Sequence, residues 1–429
     1  MKSTGDQQLL KRINRSVLLR LMRSESGLSR ADLSRKSGLT KSTVSALVKE
    51  LIAEHWMAEA HAPVAVEGMG RPSTPLELDA ATRVLMGVEI AVECLRIVCV
   101  SLTGEVVAQA QVPLLSNLPN RVCQQTAELV FEQCQQLAIK KLLLSGVGVC
   151  LPGAINEEAG MVRFAPNLAW REVPFLSMIS AAFASIGVPA VPIHLQNDAD
   201  AAALSEYEFS TNEGEDPLIF VSCDVGVGAG IILNDRLFVG AIGMAGEIGH
   251  TTLQIDGPLC SCGRLGCAET FIGSRALKAA KNTDLAGKYL GVLIQNLDVM
   301  FNPRTIVLGG QSCVNNPEMI DKAVATLTHY SKLADLPLTT VRAARYGLLA
   351  AAVGSAALVW HRFLRPMPVG KQMTSQVASQ QMEENTATKE VVGASASEVT
   401  QMKKIAVQKF VEPTASPKGR GNPAQVREH

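Results

Sequence analysis

Residues 250–267 combine the side-chain types that proteins use to bind metal ions. The segment contains one imidazole and three thiols, at His250, Cys260, Cys262 and Cys267. Three sulfurs and one nitrogen are the ligand set of a closed tetrahedral zinc site. Because four protein ligands leave no position for a catalytic water, the pattern predicts a structural zinc ion.

The surroundings of these four residues favour a metal site over reduced thiols in an ordinary loop. The cysteines lie in a polar segment whose glycines permit the sharp turns that would let Cys262 and Cys267 face one ion. Two carboxylates, Glu247 and Glu269, flank the ligands. We expect them to point away from the metal, towards a polar ligand.

The composition limits the classes of protein to which the chain can belong. With 429 residues, 47% of them hydrophobic, it can form two or three domains with a large core. Its formal net charge of zero predicts neither nucleic acid nor a membrane as a partner, so charge has to be considered locally. The sequence shows no long apolar run and no signal-peptide pattern, and we expect a cytoplasmic protein without membrane contact.

The N-terminal region has the pattern of a helix-turn-helix. Apolar residues recur at helical spacing from Gln8 to Ser24, and Ser29 to Asp32 resembles a capping box at the start of a short helix. Thr40 can cap a further helix that runs from Lys41 to about His55. A short helix, a tight turn and a second helix make up a helix-turn-helix.

Local charge and side-chain chemistry indicate DNA as the partner of this region. Residues 1–60 contain eleven Lys or Arg against six Asp or Glu, an excess of five positive charges. Short polar side chains at the start of the later helix suit base edges and phosphates in a major groove. The predicted contacts are Arg30, Lys41, Ser42, Thr43 and Ser45. The alternative is a three-helix interaction module with a solvated basic face.

Residues 58–78 have the pattern of two strands joined by a turn. The turn contains Arg71 between glycine and proline, and an arginine beside a helix-turn-helix can enter a minor groove. Arg71 is therefore a further predicted DNA contact. The sequence predicts a winged helix-turn-helix DNA-binding domain at residues 1–80.

Two motifs around the predicted metal site resemble a known family. Residues 247–250 have the form Glu-x-Gly-His, and residues 260–269 have the form Cys-x-Cys-Gly-x-x-Gly-Cys-x-Glu. They resemble the signature of the ROK family, which groups sugar-responsive repressors with bacterial sugar kinases, and the resemblance covers roughly residues 84–363. The Gly-Arg-Pro turn and residues 6–15 are similar to the N-terminal domain of the family's repressors, in particular its xylose-repressor subgroup. Because the family's kinases lack that domain, the resemblance implies a regulator.

From residue 84 onwards apolar runs alternate with helical patterns, which predicts an α/β fold. The resemblance implies the actin-like, ribonuclease-H-type architecture with two lobes. We therefore expect an α+β winged helix-turn-helix followed by a ROK sugar-binding domain at 84–365, with lobe one at about 84–195, lobe two at about 196–350 and a returning C-terminal helix at 349–363. Residues 366–429 are predicted to form a disordered tail, since they have too little apolar surface to offset the entropy of ordering.

The resemblance implies a sugar site between the lobes. Amides, carboxylates and an imidazole can exchange hydrogen bonds with hydroxyls, and many acceptors with few cations suit a neutral polyol. The family's motifs place the sugar contacts at Asn167, Asn197, Asp198, Glu247, His250 and Glu269. We expect His250 to bind zinc through one ring nitrogen and to donate to a hydroxyl from the other.

The alternative within the family is an ATP-dependent sugar kinase. Asp198 matches the family's catalytic base, and the glycine-rich residues 224–230 weakly match a phosphate loop. The first phosphate loop is Asp-x-Gly-Gly-Thr in family kinases, whereas residues 89–93 here are Glu-Ile-Ala-Val-Glu. The missing glycines and the negative charge of Glu93 disfavour a phosphate. We therefore expect no enzymatic activity and interpret Asp198 as a sugar ligand.

The sequence as a whole predicts a sugar-responsive transcriptional repressor that binds operator DNA as a homodimer or higher homo-oligomer. A sugar, with xylose as the first expectation, would shift the population of lobe arrangements and move the DNA-binding heads out of register with their half-sites. A repressor controlled by a protein partner, with a vestigial sugar cleft, is the remaining alternative. The chain also lacks helical segments that family members usually carry after Leu277, which bears on the packing of lobe two.

Overall fold

The computed structural model describes residues 7–60, 74–210, 215–280 and 282–366. The predicted wing contact Arg71 and the predicted tail beyond Pro366 lie outside these residues.

The N-terminal head has the predicted winged helix-turn-helix elements. Ser29 accepts a hydrogen bond from the backbone of Asp32 while the Asp32 carboxylate accepts one from the Ser29 backbone, so the expected capping box is present. Thr40 caps the next helix by accepting from the Thr43 backbone. Two short antiparallel strands complete the head. Its elements are α1 (Gln7–Ser24), α2 (Arg30–Ser37), α3 (Lys41–Ala53), β1 (Met57–Glu59) and β2 (Leu76–Leu78).

The next segment forms a five-stranded sheet, called here the first sheet. Its strand order is β10-β6-β3-β4-β5. Strands β3, β4 and β5 form an antiparallel meander, and β6 and β10 extend the sheet beyond β3 as parallel strands. A small three-stranded sheet, β7-β8-β9, is inserted before the last strand. The elements are β3 (Arg83–Ile90), β4 (Cys94–Ser101), β5 (Val106–Pro113), α4 (Pro119–Ile139), β6 (Leu143–Leu151), β7 (Ala154–Asn156), β8 (Met161–Ala165), β9 (Trp170–Val173), α5 (Phe175–Ile186) and β10 (Ile193–Asn197).

A second five-stranded sheet follows, with the order β13-β12-β11-β14-β15. Its long connection between β13 and α7 contains the cysteine cluster. α9 begins at Thr283, directly after α8 ends, which agrees with the short connection seen in the sequence. The elements are α6 (Asp198–Glu208), β11 (Leu218–Cys223), β12 (Val227–Leu233), β13 (Arg236–Leu237), α7 (Glu269–Ile272), α8 (Ser274–Ala280), α9 (Thr283–Phe301), β14 (Thr305–Gly309), α10 (Gly310–Asn315), α11 (Pro317–Leu333), β15 (Thr340–Ala343) and α12 (Ala350–Leu364).

The two sheets are joined by the crossing of α6 and α12. Helix α12 lies on the first sheet so closely that a Cβ added to Gly148 of β6 would come within 1.7 Å of the Ser355 carbonyl oxygen. Helix α6 lies on β11 and β12 of the second sheet. At the crossing, a Cβ added to Gly354 would come within 1.7 Å of the Ala201 carbonyl oxygen. The backbones of the two helices are therefore in direct contact.

Helix α12 also explains the one apolar segment of membrane-spanning length in the part of the chain that the structure describes. Residues 347–364 have a mean hydropathy of 1.4, but 67% of this window is buried inside the protein. Trp360 and Leu358 at its centre are fully buried. The segment is the core helix that the apolar pattern near the C-terminus predicted.

The crossing gives a direct test of the packing. We expect Gly354→Ala to lower the free energy of unfolding by about 1–3 kcal/mol, because the added methyl overpacks the α6 backbone. Guanidinium unfolding of the purified protein measures this change. In Gly27→Ala, an added Cβ meets no atom within 4 Å, so that control carries only the cost of its φ of +80°, about 1–2 kcal/mol. An unchanged or increased stability of Gly354→Ala, as expected for an open helix position, would contradict the packing.

Candidate functional site

The structure brings the four predicted metal ligands together. The ligand atoms of His250, Cys260, Cys262 and Cys267 all lie within 4.8 Å of one another. The His250 Nδ1 atom is 3.7 Å from the Cys260 sulfur, and the Cys262 and Cys267 sulfurs are 3.7 Å apart. Zinc–sulfur bonds of about 2.3 Å in a tetrahedron require sulfur–sulfur separations of roughly 3.8 Å. The donor set and its spacing therefore fit a zinc ion.

Backbone geometry explains how a loop can hold four ligands. The Cys260 amide donates to the Arg264 carbonyl over 2.8 Å. Two isolated β-bridges pair Thr252 with Cys267 and Leu259 with Leu265. Gly266 has a φ of +65°, and a Cβ there would come within 1.5 Å of the Gln254 carbonyl oxygen. Only glycine fits at this position, because both the φ angle and the close approach exclude a side chain.

The three thiols differ in their electrostatic surroundings. Hydrogen bonds from the Arg264 backbone and guanidinium lower the pKa of the exposed Cys262 to about 6. Burial and then the neighbouring sulfurs raise the pKa of Cys267 to about 12. Arg264 is therefore a positively charged neighbour that stabilises thiolate charge at the open side of the cluster.

The first turn of α6 positions Asn197 and Asp198. The Asn197 side chain caps this helix by accepting from the amides of Ala199, at 2.8 Å, and Asp200, at 3.1 Å. Its amide nitrogen donates to the Gly153 carbonyl, at 3.1 Å. These bonds fix the start of α6 against the first sheet and leave one N–H of Asn197 for a ligand.

Asp198 is half-buried beside other carboxylates. Partial desolvation, followed by the charges of Asp224 and Glu247, raises the pKa of Asp198 to about 6. One oxygen of Asp198 accepts from the Ala199 amide over 2.9 Å. The remaining acceptor capacity of this carboxylate is available to hydroxyl donors.

Glu247 and Glu269 approach the same place from the two ends of the cysteine loop. The Gly246 carbonyl accepts from the Ala229 amide of β12 at 2.8 Å, which seats Glu247 against that strand. Glu269, at the start of α7, accepts from the Val227 amide over 3.3 Å. Burial raises the pKa of Glu247, and the charge of Glu269 adds to this effect. Both carboxylates therefore lie near the first residues of β12.

The start of α6 reaches the same strand. A Cβ added to Gly228 would lie 3.4 Å from the Ala199 Cβ, so the first turn of α6 packs on β12. Asp198, Glu247 and Glu269 thus lie near one another at one end of the second sheet. Asn167 lies exposed in the short 3-10 helix Pro166–Leu168. Its link to the three carboxylates is indirect. Ala165, two residues before it, packs against Gly153, and the Gly153 carbonyl accepts from Asn197 at the start of α6.

Sequence reasoning missed one residue of this region, Arg96. Arg96 lies opposite Glu89 across the β3–β4 hairpin and binds its carboxylate at 2.8 Å. Burial raises the pKa of Glu89 to about 7, although Arg96 opposes the shift. The second Glu89 oxygen has no partner among the described residues. The antiparallel register of β3 and β4 places this guanidinium beside the Glu89 carboxylate.

In the head, the predicted DNA contacts fall into two groups. Lys41, Ser42 and Ser45 are exposed at the start of α3, where side chains can reach a groove. Thr43 is half-buried and its hydroxyl lies 2.8 Å from that of Thr40. Arg30 forms an ion pair with Glu59 at 2.9 Å, next to the wing strand β1.

Two parts of the chain match known protein families. The ROK family model matches residues 85–287, and a model of winged helix-turn-helix DNA-binding domains matches residues 11–56. The xylose repressor of Bacillus subtilis (strain 168) is 29% identical over 391 residues, which cover 84% of this chain and 98% of that protein. The xylose repressor of Caldicellulosiruptor bescii is 32% identical over 274 residues, which cover 64% of this chain and 67% of that protein.

Among solved structures, the fold is similar to that of a ROK family transcriptional regulator described as a homologue of the E. coli MLC protein. The TM-score is 0.66 at 24% identity, and the match covers 83% of this chain and 97% of that one. The fold, the head and the relatives agree with the motifs at residues 247–250 and 260–269. The chain belongs to the ROK family and carries an N-terminal winged helix-turn-helix.

Proposed function

We propose that this protein is a transcriptional repressor of sugar-utilisation genes, and that a sugar bound beside α6 and β12 releases it from its operator. The observation that carries the proposal is the presence, in one chain, of a winged helix-turn-helix and a group of carboxylates at the start of β12 that can accept from hydroxyls. The relative aligned over 391 residues is named a xylose repressor, which supports xylose or a related monosaccharide as the effector.

The proposed DNA surface is the exposed start of α3. Lys41 supplies a cation for phosphate, and Ser42 and Ser45 offer hydroxyls to base edges or phosphates. The Thr43 hydroxyl lies within hydrogen-bond distance of the hydroxyl of Thr40, the N-cap of α3. Arg30 can exchange its exposed partner Glu59 for a phosphate at little cost, because surface ion pairs contribute little stability. Arg71, outside the described residues, is retained as a proposed minor-groove contact.

The proposed sugar contacts are Asn167, Asn197, Asp198, Glu247, His250 and Glu269. Three of them are carboxylates at the start of β12. Arg264 acts on Glu247 from the side of the cysteine cluster, and Arg96 is already paired with Glu89. A phosphorylated or acidic sugar would meet like charge at this site, whereas the hydroxyls of a neutral sugar can donate to every carboxylate. Asn197 acts mainly as the cap that aims Asp198, with one N–H left for the sugar.

We further propose that His250, Cys260, Cys262 and Cys267 hold a structural zinc ion. The Nδ1 atom of His250 faces the sulfurs, so the opposite nitrogen, Nε2, faces away from them. A bound ion would fix this ring orientation and leave Nε2 to donate to a sugar hydroxyl. Arg264 would offset part of the thiolate charge.

The residues at 89–93 support the absence of kinase activity. The hairpin turn after β3 has no glycine, and the Glu89–Arg96 pair occupies its base. A phosphate brought there would meet the Glu89 and Glu93 carboxylates. The competing functions are an ATP-dependent sugar kinase and a repressor controlled by a protein partner. Measuring DNA binding with and without sugars distinguishes the proposed function from each of them.

The domain limits proposed for this function are those predicted from the sequence. They are the head at 1–80, the sugar-binding domain at 84–365 with the two lobes dividing near residue 196, and a tail at 366–429. We propose a cytoplasmic homodimer, because operators of helix-turn-helix proteins are usually two-fold symmetric.

Binding to DNA from upstream of the protein's own gene should be tight and should be released by a sugar. Fluorescence anisotropy at one fixed salt concentration, with a panel of monosaccharides including D-xylose, measures this. A typical coupling predicts a weakening of about 5- to 150-fold. Tight binding that no sugar alters would contradict the sugar switch and favour a protein partner. Absence of DNA binding together with sugar-dependent ATP turnover would favour the kinase.

The purified protein should contain about one zinc ion per chain, and Cys260→Ser should lose it, because only three ligands would remain. Metal analysis by plasma mass spectrometry measures the content. Cys99→Ser, a change at a thiol in β4 far along the chain from the cluster, is the control and should keep the metal. Equal zinc content in both variants would contradict the proposed site.

Sugar affinity should fall as the pH is lowered through the pKa of Asp198. This pKa is raised to about 6, so the carboxylate is ionised at pH 7.5 and accepts from hydroxyls, but it is mostly protonated at pH 5. Calorimetric titration should show affinity roughly tenfold weaker at pH 5 than at pH 7.5. In Asp198→Asn the affinity should be low and should not follow this pH profile. An identical profile in both proteins would show that another group is responsible.

A further inference from the structure

The DNA-binding head is attached to the sugar-binding part of the chain at two separate places. Residues of α1, including Leu18, Leu19 and Met22, belong to one continuous apolar cluster with residues of α6 and α12. Around this cluster, aromatic contacts join the head to the side of the first sheet, and ion pairs join it to the side of the second sheet.

The first attachment is a stack of rings on α12. Trp56, which follows α3, stacks on Phe363 with ring centroids 4.1 Å apart and on Trp360 at 5.7 Å. Arg83, the first residue of β3, lies 4.2 Å above the Trp56 ring and donates to the Glu54 carbonyl at 2.7 Å. These contacts fix the head to α12 and to the first sheet.

The second attachment consists of two arginines of α1. Arg23 binds Glu208, the last residue of α6, whose side chain is fully buried. Arg20 binds Asp235 at 3.0 Å, in the tight turn between β12 and β13. Tyr207 links the two acceptors, since its hydroxyl donates to Asp235 at 2.7 Å. These contacts fix the head to α6 and to the second sheet.

The elements of the second attachment begin at the proposed sugar site. Helix α6 starts with Asp198 and ends with Glu208. Strand β12 starts with Val227, whose amide binds Glu269, and leads to Asp235. The 11 residues of α6 span only about 16 Å, and a helix of three turns is stiff over that length. A displacement at Asp198 is therefore carried to Glu208 with little loss.

We propose that Arg20 and Arg23 are coupling residues that make the orientation of the DNA-binding head follow the angle between the two sheets. This inference rests on the proposed function and specifies how the sugar signal reaches the DNA. Glu208 and Asp235 also bind His361 and Arg365 at the C-terminal end of α12. If a sugar changes the angle between the sheets, the ends of α6 and α12 shift together through this ion-pair network, and Arg20 and Arg23 carry the shift to α1.

The network allows both arginines to be removed without leaving a buried charge alone. Glu208 would keep His361 at 2.6 Å and Arg365 at 2.7 Å. Asp235 would keep the Tyr207 hydroxyl and the Arg365 side chain. A buried carboxylate is strongly destabilising only when it is left without any partner. The double variant Arg20→Gln/Arg23→Gln is therefore expected to fold.

The test compares the double variant with Arg15→Gln. Arg15 also lies on α1, but it binds Glu54 within the head. Anisotropy on DNA from upstream of the gene gives the DNA dissociation constant with and without saturating D-xylose, or the first panel sugar that releases the wild type. Calorimetry gives the sugar affinity. In the double variant we expect both affinities within about threefold of wild type and a release ratio at least about fivefold smaller. Arg15→Gln should keep the wild-type ratio.

An unchanged release ratio in the double variant would overturn the proposal. If that variant does not fold, the single change Arg20→Gln, at a side chain 40% exposed, replaces it and is judged by the same ratio. A wild-type protein that responds to no sugar would count against the proposed function alone. In that case the amide hydrogen-exchange rates of residues 198–208, measured with and without DNA, decide. A DNA-dependent change that is present in the wild type and absent in the arginine variant supports the coupling. Equal changes in both proteins overturn it.

Discussion

The contact between α6 and α12 is the constraint on which the rest of the structure depends. The two helices touch through backbone atoms at Ala201 and Gly354, and α12 touches the first sheet in the same way at Gly148. Close-packed backbones leave no flexible side chain to absorb a change, so the interface transmits displacement instead of damping it. Any change in the angle between the sheets must pivot at this crossing, and the ends of both helices must move with it.

The crossing also determines which side chains meet at the proposed sugar site. It places the start of α6 on β12, where Asp198 meets the two glutamates at the ends of the cysteine loop. Burial of several carboxylates in one place raises the pKa of Asp198 and of Glu247, which is a cost to the folded protein. Hydroxyl donors of a neutral sugar would reduce that cost because they favour the ionised carboxylates. The raised pKa values of these carboxylates thus favour a ligand that donates hydrogen bonds, as proposed.

The cysteine loop has little regular structure of its own. Its length between the ligands is spanned by turns and two isolated bridges, with Gly266 at a position that only glycine can occupy. A metal ion held by four ligands would compensate for this shortage of regular hydrogen bonding. Because Glu247 and Glu269 lie at the two ends of the loop, the same ion would fix the distance between two proposed sugar contacts.

The sequence by itself determined the local features of this protein. A capping box, helical periodicity and the spacing of Cys260, Cys262 and Cys267 depend on residues near one another in the chain, so the helices of the head and the cysteine cluster were predictable. The family motifs added the fold class and the prediction that Asp198, Glu247 and Glu269 contact a sugar. Tertiary structure alone decided which distant residues meet. Arg23 with Glu208, 185 positions apart, and Arg20 with Asp235, 215 positions apart, required the docking of the head on the rest of the chain. Such contacts leave no periodic pattern in the chain, because their partners are brought together only by packing.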